Sequence, residues 1–465
     1  MVVDGHRRHA VDQSTRSLGE HQTNVTLDTS RDERTVHRER ALLVSVALPE
    51  RPWTSADPLA EIHGLATAAG ALVVGGLTQK RLKITPATYI GKGKVEELQT
   101  QVQATEADVV VFDNDLSATQ GRNLEKALDV KVLDRSELIL DIFASRARSV
   151  EARLQVELAQ LEYSLPRLRK MWTHLSRYSG GIGLRGPGET QLEEDRRLVD
   201  LRIRDLKTRL TEVQARKERE VRSRQEEQTV SLVGYTNAGK STLMNALTGA
   251  GVYVENQLFS TLDTRTRQWH LKDWGRVLLS DTVGFIRDLP HHLIASFKAT
   301  LEEARQARLL LHVVDASDPD AEEQMKAVST VLKELGCADK PTLLVLNKMD
   351  RLPDPSYLHV LLKRHPRAVA ISAATGQGLD ALREAVMEAL SAEFADAEVV
   401  TDAGNGRLLA YLASHAEIYR QQFHDNRVTV RCFLPKHLLH HIEGPDVEVH
   451  FLNGPGRTIE TNGAS

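Results

Sequence analysis

The sequence predicts an α/β protein with three folded parts. They are a small parallel α/β domain with a long helical hairpin, a P-loop domain, and a small α/β appendage. Two observations predict this architecture. Short apolar runs alternate with helical patterns in the first part, and a buried strand leads directly into a glycine-rich turn and a helix at Gly234–Ser241. Strands that alternate with helices favour a parallel sheet with right-handed crossovers.

The chain begins with a polar extension, residues 1–38, which mixes basic with acidic side chains. It lacks the apolar run that a secretory signal peptide requires. A segment of this composition cannot bury enough apolar surface to fold. We therefore expect a disordered extension.

Residues 39–144 are predicted to form the first α/β domain. Four short apolar runs there are typical of buried strands, and they occupy residues 41–47, 71–74, 109–112 and 131–133. Helical patterns lie between them, which favours a small parallel sheet.

Residues 145–227 are predicted to form a helical hairpin that connects two domains. The pattern changes there to long, densely charged helices interrupted by a glycine-rich segment, and we expect the second helix to run from Glu194 to about Gln225. Charge of this density on a helix is usually a solvated face.

The glycine-rich tip of this hairpin has a local basic excess. Between residues 144 and 185 there are eight Arg or Lys side chains and three Glu, with aromatic rings among them. Basic side chains beside stackable rings suit structured RNA, because phosphates provide affinity and splayed bases stack. In the alternative, the rings pack the hairpin against its neighbour and the arginines are solvated. The candidate RNA-binding residues are Arg177, Arg185, Trp172 and His174.

Residues 228–392 are predicted to form the P-loop domain, which opens with the pattern GxxxxGK[ST]. Val230–Val233 is typical of a buried strand and Ser241–Leu247 of an amphipathic helix, the context that this pattern requires. Backbone N–H groups of the turn and the helix N-terminus bind phosphate in such loops. We expect Lys240 to pair with the β and γ phosphates and Ser241 to bind Mg²⁺. The predicted phosphate-binding residues are Gly234, Tyr235, Thr236, Asn237, Ala238, Gly239, Lys240, Ser241 and Thr242.

A second motif follows the strand predicted at residues 276–281, which pairs with a strand at 267–272 through a turn at 273–275. In nucleotide switches, an acidic residue at this place reaches Mg²⁺ through water, and a glycine N–H meets the γ-phosphate. Asp281 and Gly284 are therefore the predicted γ-phosphate sensor. The motif comprises Asp281, Thr282, Val283 and Gly284.

A third motif indicates the base. The carboxylate of Asp350 can accept two hydrogen bonds from the N1–H and the 2-amino group of guanine, and adenine has no matching pair of donors. A site built around such bonds rejects an analogue that lacks them by about 10⁴ to 10⁵, so we expect GTP rather than ATP. The loop Ile371–Gly376 would support guanine O6 through a main-chain N–H. The predicted residues are Asn347, Lys348, Met349 and Asp350, with Ser372, Ala373 and Ala374 from the loop.

A threonine that binds Mg²⁺ only when the γ-phosphate is present must complete the site. The segment that begins at Phe259 and Ser260 offers three threonines. We prefer Thr261, with Thr264 and Thr266 as alternatives. The predicted metal ligands are Ser241, Thr261 and, through water, Asp281.

No catalytic residue is identified, because Phe285 stands where many GTPases have a glutamine that orients the attacking water. A phenyl ring cannot form a hydrogen bond to that water, so we expect slow hydrolysis by the isolated protein. Asn237 occupies the loop position that coordinates K⁺ in some GTPases with similar sequences. Asn237 is equally well explained as a residue that forms a turn.

Residues 393–465 are predicted to form the appendage. We expect a helix at about 405–421 and strands at 427–434 and 447–451.

Several motifs before the P-loop resemble the amino-terminal signatures of the HflX family of translation-factor-class GTPases. They are Asn114–Ser117, Asp134–Arg135, Leu138–Ala144, Leu154–Gln160, Leu165–Arg167 and Gly180–Gln191. The resemblance runs from about residue 40 to the end of the P-loop GTPase domain and is loose beyond it. The chain departs from the family at Thr264, where a proline usually follows Leu-Asp. That departure concerns the conformation of this loop and not nucleotide binding.

The resemblance implies a Mg²⁺-dependent GTPase that binds the large ribosomal subunit and its RNA and splits or rescues stalled ribosomes. It also implies that the helical tip enters the subunit near its peptidyl-transferase region and that the subunit stimulates hydrolysis. The alternative is a GTP-gated RNA-binding module that acts on free RNA or in ribosome assembly.

Composition bounds the remaining properties. The 465 residues are enough for about three domains of ~150 residues, and the net charge of −4 gives no overall nucleic-acid signal. Only two cysteines, Cys337 and Cys432, are present, which excludes a disulfide framework and favours a reducing, cytoplasmic location. No apolar run reaches the roughly 18 residues of a membrane span. We expect a monomer.

Overall fold

A computed structural model of the chain describes most of the sequence outside the amino-terminal extension, residues 1–38. The described residues are 39–53, 56–175, 187–222, 228–249, 258–259, 261–262, 264–271, 275–287, 302–352, 354–391, 394–442 and 447–452. Side chains next to some gaps, at 168–175, 187–195 and 217–222, lie outside this description.

The first α/β domain contains a four-stranded parallel sheet, as the sequence predicts, and its strand order is β2-β1-β3-β4. Strand β2 continues to Lys80, past the predicted end at residue 74, because it pairs with β1 along the whole length of β1. Gly75 and Gly76 interrupt the apolar run there and hide the strand in the sequence. The elements are β1 (Arg40–Ala47), α1 (Ala60–Ala68), β2 (Leu72–Lys80), α2 (Lys92–Thr105), β3 (Val109–Phe112), α3 (Ala118–Leu128), β4 (Lys131–Leu133) and α4 (Arg135–Arg146).

The helical hairpin consists of α5 (Val150–Leu175) and α6 (Pro187–Arg222). Helix α6 begins at Pro187 and not at the predicted Glu194, since proline is accepted in the first turn, where its missing N–H has no intrahelical partner. Apolar side chains of the two helices form a separate small core, which comprises Leu158, Leu161, Ile203, Leu206 and Leu210.

The P-loop domain contains a six-stranded sheet in the order β10-β9-β8-β5-β7-β6, in which only β6 is antiparallel to its neighbour. The carboxyl ends of the parallel strands share one edge, where ligands bind in open α/β sheets. The elements are β5 (Gln228–Gly234), α7 (Lys240–Thr248), β6 (Arg265–Leu271), β7 (Gly275–Asp281), α8 (Glu302–Gln306), β8 (Leu309–Asp315), α9 (Ala321–Glu334), β9 (Thr342–Asn347), a 3₁₀ helix (Met349–Arg351), α10 (Pro355–Arg364), β10 (Val369–Ala370) and α11 (Leu379–Ser391).

The appendage contains a four-stranded antiparallel sheet in the order β12-β13-β11-β14. The prediction of a helix over residues 405–421 is wrong in its second half. The helix ends at His415, and residues 417–424 form a strand that was not predicted. Pairing of this strand with β13 outweighs its weak strand pattern. The elements are β11 (Phe394–Asp402), α12 (Gly406–His415), β12 (Glu417–His424), β13 (Arg427–Pro435), a 3₁₀ helix (Lys436–His441) and β14 (Glu448–Phe451).

The first α/β domain and the P-loop domain share one apolar core. This core combines Leu43 and Ile139 of the first domain with Val233 and Phe285 of the second. The ring of Phe143 meets the ring of Phe259 edge to face, with 4.7 Å between the centroids. None of the described helices combines the length and apolar character that a membrane crossing requires.

Candidate nucleotide-binding site

A polar cavity of about 250 Å³ lies at the carboxyl edge of the six-stranded sheet. Fourteen of its fifteen lining residues belong to the motifs predicted from the sequence, and Arg351 is the addition. Sequence reasoning missed Arg351, and the only signal that could have indicated it is its place directly after Asp350. The lining residues are Thr236, Asn237, Gly239, Lys240, Ser241, Thr242, Phe259, Thr261, Gly284, Asn347, Lys348, Asp350, Arg351, Ala373 and Ala374.

The loop between β5 and α7 turns sharply through two left-handed residues. Asn237 has φ of +61° and Gly239 has φ of +95°, a region that asparagine tolerates and glycine adopts freely. A Cβ atom at Gly239 would lie 2.3 Å from Nδ2 of Asn347, so glycine is also required by the close approach of two motifs. At Gly239 the loop therefore presents its backbone to the cavity.

Lys240 begins α7 and is buried. Its Nζ donates to the main-chain oxygens of Gly234 and Tyr235 at 3.1 and 3.0 Å. Burial lowers the pKa of Lys240 to about 8, although the nearby carboxylate of Asp281 favours the charged form. This ammonium group is thus held where an anionic ligand would stabilise its charge.

Three predicted metal ligands converge at one point. The hydroxyl of Ser241 lies 2.8 Å from the hydroxyl of Thr261 and donates to Oδ2 of Asp281 at 2.6 Å, and Thr261 donates to the same oxygen at 3.3 Å. Burial raises the pKa of Asp281, and Lys240 and these hydrogen bonds oppose the increase. Among the described residues, no group donates to the other oxygen, Oδ1, which is buried. Two hydroxyl oxygens and a carboxylate form a donor set of the type that Mg²⁺ prefers, so these residues fit that ion.

The two alternative threonines lie elsewhere. Thr264 donates to Glu303 at 3.1 Å, and the hydroxyl of Thr266 lies 3.0 Å from that of Ser280. Thr261 is therefore the threonine that the structure places beside Ser241.

Gly284 lies against the phosphate-binding loop, since a Cβ atom there would be 2.7 Å from Cα of Thr236 and 3.1 Å from Nζ of Lys240. The next residue, Phe285, is buried in the shared core. Its backbone pairs with the loop, accepting from Thr236 N at 2.7 Å and donating to Gly234 O at 3.1 Å. The phenyl ring does not line the cavity.

The third motif connects three segments around the opposite end of the cavity. Nδ2 of Asn347 donates to Ala238 O, and its Oδ1 accepts from Ala373 N, both at 2.9 Å. Lys348 has φ of +62° and forms an ion pair with Asp315 at 2.7 Å. Asp350 lies in the 3₁₀ helix with its side chain exposed at the cavity wall.

Several predicted residues support the cavity without lining it. Thr282 donates to Leu232 O at 2.7 Å, Met349 N donates to Ile371 O at 3.2 Å, and Ser372 accepts from Thr375 N at 3.1 Å. Val283 is buried. Tyr235 turns its hydroxyl away from the cavity to Glu61, 2.8 Å away.

The side chains of the four RNA-binding candidates lie outside the described part of the structure. Arg177 and Arg185 are not among the described residues, and neither are the side chains of Trp172 and His174. The same holds for Ser260 of the nucleotide motifs. The resemblance motifs include Arg167, which forms an ion pair with the buried carboxylate of Asp134. Its guanidinium also lies 4.0 Å from the ring centroid of Tyr163, so this arginine has a structural role where the hairpin contacts the first domain.

Comparisons with known proteins match consecutive parts of the chain. One family model, described as the N-terminal part of GTP-binding GTPases, matches residues 56–144, and another, described as their middle region, matches residues 146–224. A third, described as a 50S ribosome-binding GTPase, matches residues 229–348.

Curated relatives align with most of the chain. The GTPase HflX of Caldanaerobacter subterraneus subsp. tengcongensis is 46% identical over 400 residues, covering 85% of this chain and 90% of the relative. The GTPase HflX of Escherichia coli strain K12 is 48% identical over 373 residues, covering 80% of this chain and 87% of the relative. A crystal structure of a GTP-binding protein from the archaeon Sulfolobus solfataricus in complex with GDP is 23% identical with a TM-score of 0.42, covering 76% of this chain and 99% of that one.

Proposed function

This chain belongs to the HflX family of GTPases, and on that basis we propose that its GTP-bound form associates with the large ribosomal subunit and that hydrolysis releases it. The observation that carries the proposal is the match of residues 229–348 to a family described as 50S ribosome-binding GTPases. The physiological task we propose is splitting or rescue of stalled ribosomes.

Each end of the cavity has a proposed role in binding GTP. The phosphates lie along the backbone N–H groups of residues 236–242, with the ammonium group of Lys240 at the β and γ phosphates. Gly284 N–H meets the γ-phosphate. The carboxylate of Asp350 accepts from the N1–H and 2-amino groups of guanine, while the loop at Ala373 and Ala374 supports its O6.

Ser241, Thr261 and Asp281 are the residues that would hold Mg²⁺, Asp281 through water. The ion, when bound, neutralises negative charge on the β and γ phosphates. Two observations support this metal site. The hydroxyls of Ser241 and Thr261 lie beside the Asp281 carboxylate, and Oδ1 of that carboxylate is buried without a partner among the described residues.

Phe285 does not activate hydrolysis, because the ring of Phe285 packs in the core. A glutamine normally orients water at that position, so the water must be positioned from elsewhere. We propose that the large subunit supplies this function. A K⁺ ion at Asn237 is the second source to be tested, since Asn237 lines the cavity.

Sedimentation with purified large subunits tests the association. The full-length protein should pellet with the subunits in a non-hydrolysable GTP analogue and remain in the supernatant in GDP. Pelleting that is equal in both nucleotides contradicts GTP-gated association. Binding of free RNA with no preference for the subunit would favour the alternative of an RNA-binding module.

A charge-reversal pair tests the hairpin tip. Arg177→Glu with Arg185→Glu should weaken subunit binding and make its salt dependence shallower, because fewer phosphates are neutralised. Nucleotide affinity should not change. The matched control is Arg197→Glu with Arg204→Glu, which reverses two exposed arginines on the stem of the same hairpin. Equal loss in the control would show that the hairpin charge, and not the tip, determines binding.

A further inference from the structure

A cluster of buried charges joins the first α/β domain to the segment that follows Gly284. Its centre is Glu61 of α1, whose side chain is 14% exposed. One carboxylate oxygen of Glu61 accepts from the guanidinium of Arg135. The other accepts from the Tyr235 hydroxyl and from Nε of Arg287, each at 2.8 Å. Glu61 thus connects residues from both domains.

The cluster is balanced in charge and holds together as a unit. Arg135, at the start of α4, is only 3% exposed and also forms an ion pair with Asp113 at the end of β3. Burial alone would raise the pKa of Glu61, but Arg135 and Arg287 outweigh it and hold that pKa below its ordinary value. Removing one member of such a cluster leaves a buried charge without compensation. Replacing one member should therefore disturb the positions of the others.

Arg287 is attached to this cluster through three of its groups. Its main-chain N donates to the Tyr235 hydroxyl at 2.9 Å, and its main-chain O accepts from Arg135 at 3.0 Å. Its side chain donates to Glu61. Phe285, two residues earlier, is paired with the phosphate-binding loop. The whole segment from Gly284 to Arg287 is therefore held between that loop and the first domain.

The segment held in this way contains the predicted γ-phosphate sensor. In the same structure Thr261 lies beside Ser241 and Asp281, the arrangement expected when GTP is bound. GDP has no γ-phosphate to contact Gly284. Only the affinity for GTP should therefore depend on where this segment lies. We infer that Glu61 is a positioning residue for GTP, acting through Tyr235 and Arg287 to hold the segment after Gly284 ready for the γ-phosphate.

Only the γ-phosphate of GTP meets the segment that the cluster holds. Loss of the cluster should therefore lower affinity for GTP more than affinity for GDP. This inference rests on the proposed place of the γ-phosphate at Gly284, and it does not depend on association with the ribosome.

The test compares affinities of the full-length protein for GDP and for a non-hydrolysable GTP analogue by calorimetry. In Glu61→Gln the preference for the analogue over GDP should fall at least about fivefold, the lower end of typical coupling. A merely structural role would lower both affinities alike. The control is Glu97→Gln, which removes the same charge from an exposed glutamate paired with Lys94 at 2.8 Å, and it should keep the wild-type preference.

A second variant keeps the test valid if Glu61→Gln does not fold. Tyr235→Phe removes only the hydroxyl and leaves the ring in the shared core, so the same preference should fall in the same direction. In the double variant the losses should not add, because both changes break the same contact. An unchanged preference in every variant that folds, or a stronger preference for the analogue, overturns the inference.

Discussion

At the scale of single residues, the two ends of the nucleotide cavity are built differently. Lys240, Ser241 and Asp281, at the end where we propose the phosphates, are buried and bonded to one another or to the loop. Asp350 at the other end is exposed. Changes at the phosphate end therefore affect folding and binding together, whereas Asp350 can be changed with little cost in stability.

Asp350→Asn should lower GTP affinity by about a hundredfold or more, since two hydrogen bonds to a charged group are each worth about 1.5–3 kcal/mol. The new amide can donate to the 2-oxo group of xanthine, so affinity for xanthosine triphosphate should rise. Calorimetric titration with both nucleotides measures the change. Asp354→Asn is the matched control, because Asp354 caps α10 through Ser356 N at 2.8 Å and asparagine caps equally well. Wild-type GTP affinity in Asp350→Asn would refute the assignment of this residue to guanine.

His312 on β8 should make the protein less stable in mild acid. Burial, helped by the charges of Lys240 and His365, lowers the pKa of His312 to about 4. In the unfolded chain the pKa is about 6.5, so between these values the unfolded state binds more protons than the native state. Stability is therefore fully present above about pH 6.5 and is lost as pH falls towards 4, by roughly 3 kcal/mol in total.

Urea unfolding at several pH values in this window measures that contribution. His312→Leu should show a shallower loss of unfolding free energy with falling pH than the wild type. His63→Gln, at an exposed position on α1, should retain the wild-type slope. Parallel slopes for the wild type and His312→Leu would assign the acid sensitivity to other groups.

At the scale of elements, the α5–α6 hairpin depends on a narrow apolar seam beneath dense surface charge. Arg202 of α6 donates to both carboxylate oxygens of Glu157 of α5, at 2.8 and 3.0 Å. This pair is about 40% exposed on the arginine side, and such surface pairs contribute only about 0–1 kcal/mol. The buried leucines must therefore provide most of the hairpin's stability.

Leu206→Ala should test this seam, because Leu206 is completely buried between the two helices. Such a truncation in a packed core costs about 2–5 kcal/mol through lost burial and the cavity that remains. Leu201→Ala on the same helix is the control, since Leu201 is 47% exposed and surface changes stay within about 0.5 kcal/mol. Denaturant unfolding followed by circular dichroism distinguishes them. Similar losses in both variants would mean that the seam is not the stabilising feature.

At the scale of the whole molecule, the nucleotide site and the first domain cannot move independently while the described contacts persist. The shared core passes from β1 through Phe143 and Phe259 to the phosphate-binding loop, and the Glu61 cluster joins the same parts through charge. A partner that contacts one domain can therefore change the other. This connection gives a route by which a ribosomal partner would influence hydrolysis.

Single-turnover GTP hydrolysis should accelerate at least about tenfold on addition of large subunits, since an external activating group contributes up to about 10³–10⁵. Any stimulation by K⁺ over Na⁺ should disappear in Asn237→Gly. Glycine is the suitable replacement because Asn237 has φ of +61°, which alanine would adopt with strain. If the free protein hydrolyses GTP as fast as its ribosome-bound form without cation dependence, an unidentified residue of the chain positions the water.

The sequence by itself determined which residues come together in the candidate nucleotide site. Fourteen predicted residues line one cavity, because each predicted motif is short and contiguous and its backbone geometry is local. The parallel sheet of the first domain was predictable because its short apolar runs alternate with helical patterns. The strand at 417–424 was not, because its state depends on pairing with β13.

Only the tertiary structure decided which threonine meets Ser241, where the ring of Phe285 lies, and that Glu61 bonds to Arg287. The last contact joins residues separated by 226 positions, and no periodicity or motif spacing records such a pair. Each of these results depends on how two segments pack in space. Sequence patterns report local geometry and burial, whereas contacts between distant segments are determined only when the chain has folded.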